Sequence, residues 1–181
     1  METTIDRVYN PVQKDYATFL KTASQTGGAL TLIEVELAPY GGNALHRHSA
    51  FSEGFEVLDG ELNVQVGAAH KLLRAGDQAL VPLGVTHRFY STSDALTRFL
   101  VTIQPGHQGF EESVRIAYGL ATDGQMNASG APKNPLILGL LAEMSGTEVA
   151  GAMGVLRPLI SVLARLARRR GLDRALAEKY L

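Results

Sequence analysis

His46-Arg47-His48-Ser49-Ala50-Phe51-Ser52-Glu53-Gly54-Phe55-Glu56-Val57-Leu58-Asp59-Gly60 is the stretch on which the reading of this chain turns. In an extended segment residues i and i+2 face the same side, so His46 and His48 present two imidazoles to one point. Glu53 opens the next strand-like run and can swing a carboxylate to that point after the Ser49-Ala50 bend. A fourth donor stands in Gly76-Asp77-Gln78-Ala79-Leu80-Val81-Pro82-Leu83-Gly84-Val85-Thr86-His87, where His87 follows a Pro-Leu-Gly turn and opens another strand. Three imidazoles and one carboxylate suit a single divalent transition metal: Mn, Fe, Ni, Co, Cu or Zn. In an octahedral field four protein ligands leave two adjacent positions for water, substrate or dioxygen.

Around this stretch the chain reads as short strands up to about residue 106. Ala29–Pro39 alternates with period two, Thr31, Ile33, Val35 and Leu37 on one side and Leu32, Glu34 and Glu36 on the other. Similar pieces are expected at about 53–58, 61–66, 78–82, 86–90 and 96–104, separated by glycine-rich turns, a pattern that points to a sandwich or barrel. Asp59-Gly60 is expected to be a tight hairpin, since Gly tolerates positive φ. After Pro105-Gly106 the period becomes helical. Phe110, Val114, Ala117, Tyr118 and Ala121 form one stripe. Asn134-Pro135 reads as an N-cap with Pro at the first helical position, starting a helix over 135–144. Arg157-Pro158 is expected to start another that ends near Gly171, with a final turn or two over 172–180.

The two motifs together read His46-x-His48-x4-Glu53-x6-Gly60, fifteen residues, then Gly76-x5-Pro82-x-Gly84-x2-His87. In order and spacing they resemble the cupin superfamily at His46, His48, Glu53, Gly60, Gly76, Pro82, Gly84 and His87. Two departures stand out. Gly41 lies one residue closer to the first histidine than the family pattern has it, and Ser91 stands where Asn is usual. The resemblance covers about residues 29–104. It implies a mainly β fold, an antiparallel double-stranded β-helix or jelly roll, with the metal inside one end of the barrel. It also implies the ligand set His46, His48, Glu53 and His87. More loosely, 19–28 and 132–143 resemble small single-domain bacterial cupins with a C-terminal helical tail. The expected organisation is a barrel over 1–106, with its motif core at 29–104, and a helical extension over 107–181 packed on the barrel or on a dimer partner.

By parity Phe55 shares a face with Glu53, Phe89 with His87, and Phe99 with Val101 and Ile103. If these point inward they either wall a cavity suited to an apolar or aromatic ligand or simply fill a small barrel. His70 and His107 read as ordinary surface histidines. Residues 156–181 hold seven basic and two acidic side chains, interleaved with Leu159, Ile160, Val162, Leu163 and Leu166. Such a basic amphipathic helix either docks, burying Leu159, Leu163 and Leu166, or makes peripheral contact with an anionic membrane. The docked form is expected.

Composition removes other classes. The 181 residues are 45% hydrophobic and 19% charged, as in a globular chain. Cys is 0, so thiolate sites and cysteine nucleophiles are excluded, which fits a cytoplasmic setting. A net charge of -1 gives no case for nucleic acid. The first twenty residues lack an apolar h-region, so no secretory signal is expected. Strand edges and the leucine-rich 135–144 helix point to a homodimer. The resemblance implies a metal-dependent oxidoreductase of the dioxygenase type acting on a small molecule, with Glu53 as ligand and proton acceptor. The alternatives are a metal-assisted isomerase or hydrolase, and a non-catalytic small-molecule binding or sensing module.

Overall fold

The computed structural model of the chain describes residues 6–149 and 153–181. Period-two burial builds two antiparallel sheets. The first is ordered β1 (Arg7–Asn10), β2 (Asp15–Lys21), β3 (Thr31–Leu37), β10 (Thr97–Gln104), β5 (Ser52–Asp59), β8 (Gln78–Val81). The second is ordered β11 (Thr147–Val149), β4 (His46–His48), β9 (His87–Tyr90), β6 (Glu61–Val66), β7 (Ala69–Arg74). Helices α1 (Gln108–Thr122), α2 (Pro135–Ser145), α3 (Met153–Arg169) and α4 (Leu172–Tyr180) lie C-terminal to the barrel strands. The fold is mainly β, with helices at its C-terminal end.

On β3 Thr31, Ile33, Val35 and Leu37 face inward, and on β10 Thr97, Phe99, Val101 and Ile103 do. Paired in register, these strands form the floor of the barrel core. Phe89 meets Phe99 edge-on with ring centroids 5.1 Å apart, and Phe55 packs 6.1 Å from Phe89, a geometry that favours aromatic quadrupoles.

Asp59-Gly60 is not a hairpin. β5 and β6 belong to different sheets, and Gly60 is the corner where the chain passes from one to the other. Its φ is +82°, and a Cβ there would come within 2.8 Å of the Leu96 carbonyl oxygen, so Gly is required twice over. The tight hairpin lies one strand later, at Gly67-Ala68 between β6 and β7. His70 sits on β7 opposite Gln65 and is exposed.

His107 is an N-cap: its Nδ1 accepts the Phe110 N–H at 2.9 Å and starts α1. Ordinary surface status for His107 is therefore corrected. The α1 stripe serves two cores. Tyr118 is buried in the barrel core, with Phe110, Val114 and Ala117 packed against it. Ile116, Leu120 and Ala121 turn to a second core with Leu140, Leu141, Ala167 and Leu176 of the other helices. Glu111 ties α1 down, accepting from the Ala23 N–H at 2.6 Å and the Thr31 hydroxyl at 2.5 Å.

Asn134 caps α2 as its sequence signature implies, its Oδ1 accepting the Leu136 N–H at 3.0 Å. The helix stops at Gly146, φ +62°. The start expected at Arg157-Pro158 is displaced: α3 begins at Met153, and Pro158 lies inside it, where one backbone hydrogen bond is forgone. The Arg157 side chain lies outside the described residues. α3 docks on α2 at Gly139, where a Cβ would stand 2.6 Å from that of Leu163. The residues buried there are not the expected three leucines. Ala164 and Ala167 are fully buried and Leu163 partly so, whereas Leu159 is 50% and Leu166 38% exposed. Small residues let the helices approach closely, and the larger side chains turn outward. Arg168 and Lys179 are spent on Glu143 and Asp123. No helix among the described residues is long and apolar enough to cross a membrane.

Candidate metal centre

The pleat aims the donors. His46 pairs with His87 across β4 and β9, and His48 lies two residues along the same strand. The intervening Arg47 turns out to Glu148, with Nε 2.7 Å from its carboxylate. Glu53 approaches from the facing sheet on β5, next to Gly54. One ligand atom from each of His46, His48, Glu53 and His87 lies within 4.8 Å of all the others. His48, Glu53 and His87 are buried, and His46 is half-buried at the mouth.

Each ring is oriented from behind. His46 Nδ1 donates to the Ala44 carbonyl at 2.8 Å, and His87 Nδ1 to the Val85 carbonyl at 3.0 Å. His48 Nδ1 is 3.1 Å from the Thr147 hydroxyl on β11. A carbonyl only accepts, so Nδ1 carries the proton and Nε2 faces the cluster. His46 Nε2 and His48 Nε2 stand 3.1 Å apart, and Glu53 Oε2 is 3.1 Å from His48 Nε2 and 2.6 Å from His87 Nε2. Converging lone pairs and a carboxylate at these distances call for a cation or shared protons between them.

The electrostatics fit that demand. Burial, then the neighbouring His48 and His87, push His46 down to about 3, which keeps its imidazole neutral. Burial acts to raise Glu53, but hydrogen bonds and charge from His48 and His87 outweigh it and hold the carboxyl well below its usual range. Burial acts to lower His87, but the Glu53 hydrogen bond and charge win and raise it. The donor set is thus an ionised carboxylate with at least one neutral imidazole, all oriented toward one point. It fits a divalent first-row metal.

Residues 33–111 match the sequence pattern of the cupin domain family. Over those residues the chain has a cupin domain. An RmlC-like cupin from Shewanella frigidimarina is similar at 20% identity, with 61% of this chain and 92% of that one covered and a TM-score of 0.51. A sugar phosphate isomerase of the cupin superfamily from Silicibacter pomeroyi aligns at 23% identity over 56% of this chain and 71% of its own, with a TM-score of 0.49. The polyketide cyclase RemF from Streptomyces resistomycificus aligns at 21% identity over 57% of this chain and 76% of its own, also with a TM-score of 0.49. No curated protein matches the sequence. At these identities the likeness speaks to fold alone.

Beside the donors the cupin barrel opens into a cavity of about 220 Å³. Its barrel wall includes Ile33, Val35, Phe89 and Val101. Phe55 and Phe99, read as candidate lining, are buried in the barrel core and are not among the residues that line this cavity. Asn43 and Ala44 add to the lining beside the donors, and further lining comes from outside the motif core: Gln13 and Ala17 from the N-terminal hairpin, Phe110, Val114 and Tyr118 from α1, and Thr147 from β11. A second hollow of about 190 Å³, between α1, α2 and the 126–132 loop, shares Gln13, Phe110, Val114, Tyr118 and Thr147 with the first. The cavity therefore continues outward along α1.

Sequence reasoning missed all of these outer contributors. Phe110, Val114 and Tyr118 were visible as an apolar stripe, but nothing in a helical period says what the stripe covers. Thr147 has no local signal at all, since β11 is a three-residue strand defined by pairing with β4 about a hundred residues away.

Proposed function

We propose that His46, His48, Glu53 and His87 hold one divalent transition metal, and that the cavity beside them takes a small, largely apolar or aromatic molecule for oxidation of the dioxygenase type. The observation that carries this reading is the convergence of four donor atoms within 4.8 Å, three of them on imidazoles held from behind, beside a largely apolar cavity. A metal bound there supplies Lewis-acid or redox chemistry.

The chain's own residues do the rest. The backbone carbonyls of Ala44 and Val85 fix two imidazoles, and Thr147 the third. Glu53 contributes negative charge and is the proton acceptor nearest the donors. Ile33, Val35, Phe89, Val101 and Phe110 exclude water and hold the apolar body of the ligand. Among the described residues no lysine or arginine lines either hollow, so the walls beside the metal ligands suit an uncharged ligand body.

Dioxygen uptake by metal-loaded and metal-stripped protein against flavonols and diketones tests the proposal. Uptake with at least one of these, dependent on metal, is expected. Tight binding with no turnover under any metal would replace the enzyme with a sensing module. Conversion without dioxygen consumption would replace the dioxygenase with a metal-assisted isomerase or hydrolase.

A homodimer is also proposed. β8 is an edge strand, and Leu80 on it and Leu83 beside it are 66% and 57% exposed. Light scattering at micromolar concentration is expected to give twice 19.4 kDa. The mass of a single chain would contradict it.

A further inference from the structure

Asp15 is 1% exposed on β2, between Gln13 and Ala17, both of which line the cavity. Its partner comes from the other end of the chain: the Tyr118 hydroxyl on α1 donates to Asp15 Oδ2 at 2.8 Å. Tyr118 itself lines the cavity with His46, His48 and Glu53, and the Glu53 charge is felt at its phenol. Asp15 Oδ1 has no hydrogen-bond partner. A buried carboxylate with a bare oxygen is costly, and native structures seldom carry one without a use for it.

Among the described residues no cation offsets Asp15. Arg115, on the same helix as Tyr118, is turned to Asp6 and stacked over Phe19, and Lys14 is exposed. Asn10, opposite on β1, spends its side-chain oxygen on the Val12 and Gln13 N–H groups. On β3 the facing residue is Leu37. The remaining titratable groups of the cavity are Glu53, His46 and His48, with His87 behind them in the cluster. Burial, opposed in part by the Tyr118 hydrogen bond, raises Asp15 to about 7. Tyr118 is raised well above its ordinary value by burial and by the Asp15 charge, so its phenolate does not accumulate.

We propose that Tyr118, backed by Asp15, is a second proton-exchanging group of this cavity, apart from Glu53, and acts on an ionisable hydroxyl of the ligand, such as that of an enol or phenol. The inference rests on the reading of this cavity as the ligand site. With Asp15 protonated, its O–H donates to Tyr118 Oη and the phenol O–H is released to point at the ligand. The phenol proton then passes to an anionic ligand oxygen while the carboxylic proton passes to the phenol. The ligand ends neutral, Tyr118 unchanged and Asp15 a carboxylate. In reverse, ionised Asp15 takes the phenol proton as the phenol takes one from the ligand hydroxyl. One proton moves net and no electron does. Asp15 acts only through Tyr118 and is a positioning and proton-storing residue.

The rival role is a plain staple of α1 onto β2. Calorimetry of catechol binding to the metal-loaded protein, in two buffers of different ionisation enthalpy between pH 5.5 and 8.5, separates the two. Wild type is expected to show a pH-dependent proton exchange centred near 7. Asp15→Asn and Tyr118→Phe should keep one metal per chain and lose that exchange. Unchanged proton exchange in both variants, with only their melting temperatures lowered, would overturn the proposal in favour of the staple. A His48→Ala control reports on the ligand site separately: catechol binding that survives in it sinks the site reading. Independently of catechol, the Asp15 carboxyl carbon resonance should titrate near neutral pH and move on Tyr118→Phe. Titration near the ordinary value of about 4 would overturn the proposal.

Discussion

Two cores lie side by side in this molecule and are built differently. The barrel core is walled by strands of both sheets, with Phe99, Leu37, Leu62 and Ile103 fully buried. The helical core gathers Leu140, Ile116, Leu120 and Ala167 from α1, α2 and α3, with Leu176 from α4. Helix α1 belongs to both, giving Tyr118 to the first and Ile116 to the second. The candidate donor cluster stands in the barrel, but the cavity beside it is lined in part by α1 and β11. The difference teaches that the barrel positions the donors while the helical region supplies much of the outer wall of their cavity.

The largest effects should come from opening each core in turn. Phe99→Ala should cost about 3–5 kcal/mol and loosen the donor cluster that rests on the barrel. Leu140→Ala should cost about 2–5 kcal/mol and leave metal content at the wild-type level. Thermal melts paired with metal analysis check this. Equal metal loss in both variants would mean that the two cores form one cooperative unit.

A sharper probe of the helical side is Gly139→Ala. The added Cβ would meet Leu163 at 2.6 Å, with the Ile160 carbonyl at 3.1 Å. Forcing α2 and α3 apart should cost about 1–3 kcal/mol in a denaturant titration. An unchanged midpoint would show that α3 does not dock as described.

Thr147→Val tests the point at which the helical region touches the chemistry. It removes the hydroxyl 3.1 Å from His48 Nδ1 while keeping the shape. Metal affinity should fall about 10–100-fold by competition with a chelator, with little change in melting temperature. Unaltered affinity would reduce β11 to a structural flap.

A last effect is a pH dependence. Folded Asp15 is raised to about 7, against about 3.9 in an unfolded chain, so the folded state holds a proton that the unfolded state releases between those values. The stability this provides is full below about pH 4, declines as pH rises, and is gone above about 7. The melting temperature of wild type should therefore drop relative to Asp15→Asn across that window. A constant difference would contradict the buried, raised carboxyl.

How much of this was legible in the sequence follows the same division. The barrel announces itself locally: alternation on β3 and β10 needs only neighbours at i+2, and the spacing of His46, His48, Glu53 and His87 carries both the resemblance and the donor set. Long-range choices left no such trace. Gly60 has the composition of a hairpin, yet the chain uses it to change sheets, because the decision lies in the approach of the Leu96 carbonyl. β2 was hidden because its inward face reads Asp15, Ala17, Phe19, and a buried aspartate breaks the apolar pattern. In α3 the hydrophobic leucines suggested the docked face, but close helix packing on Gly139 selected Ala164 and Ala167 instead. The donors could be read from spacing, while the outer walls of their cavity could not.

The most direct test of the central claim is elemental analysis of the untagged protein after loading with excess Mn(II), Co(II) or Zn(II) and desalting, with His48→Ala alongside. The account predicts about one metal per chain in wild type and less than a tenth of that in His48→Ala, the two having the same β-sheet circular dichroism. Full metal content in His48→Ala, or none in wild type with any of the three ions, would contradict it.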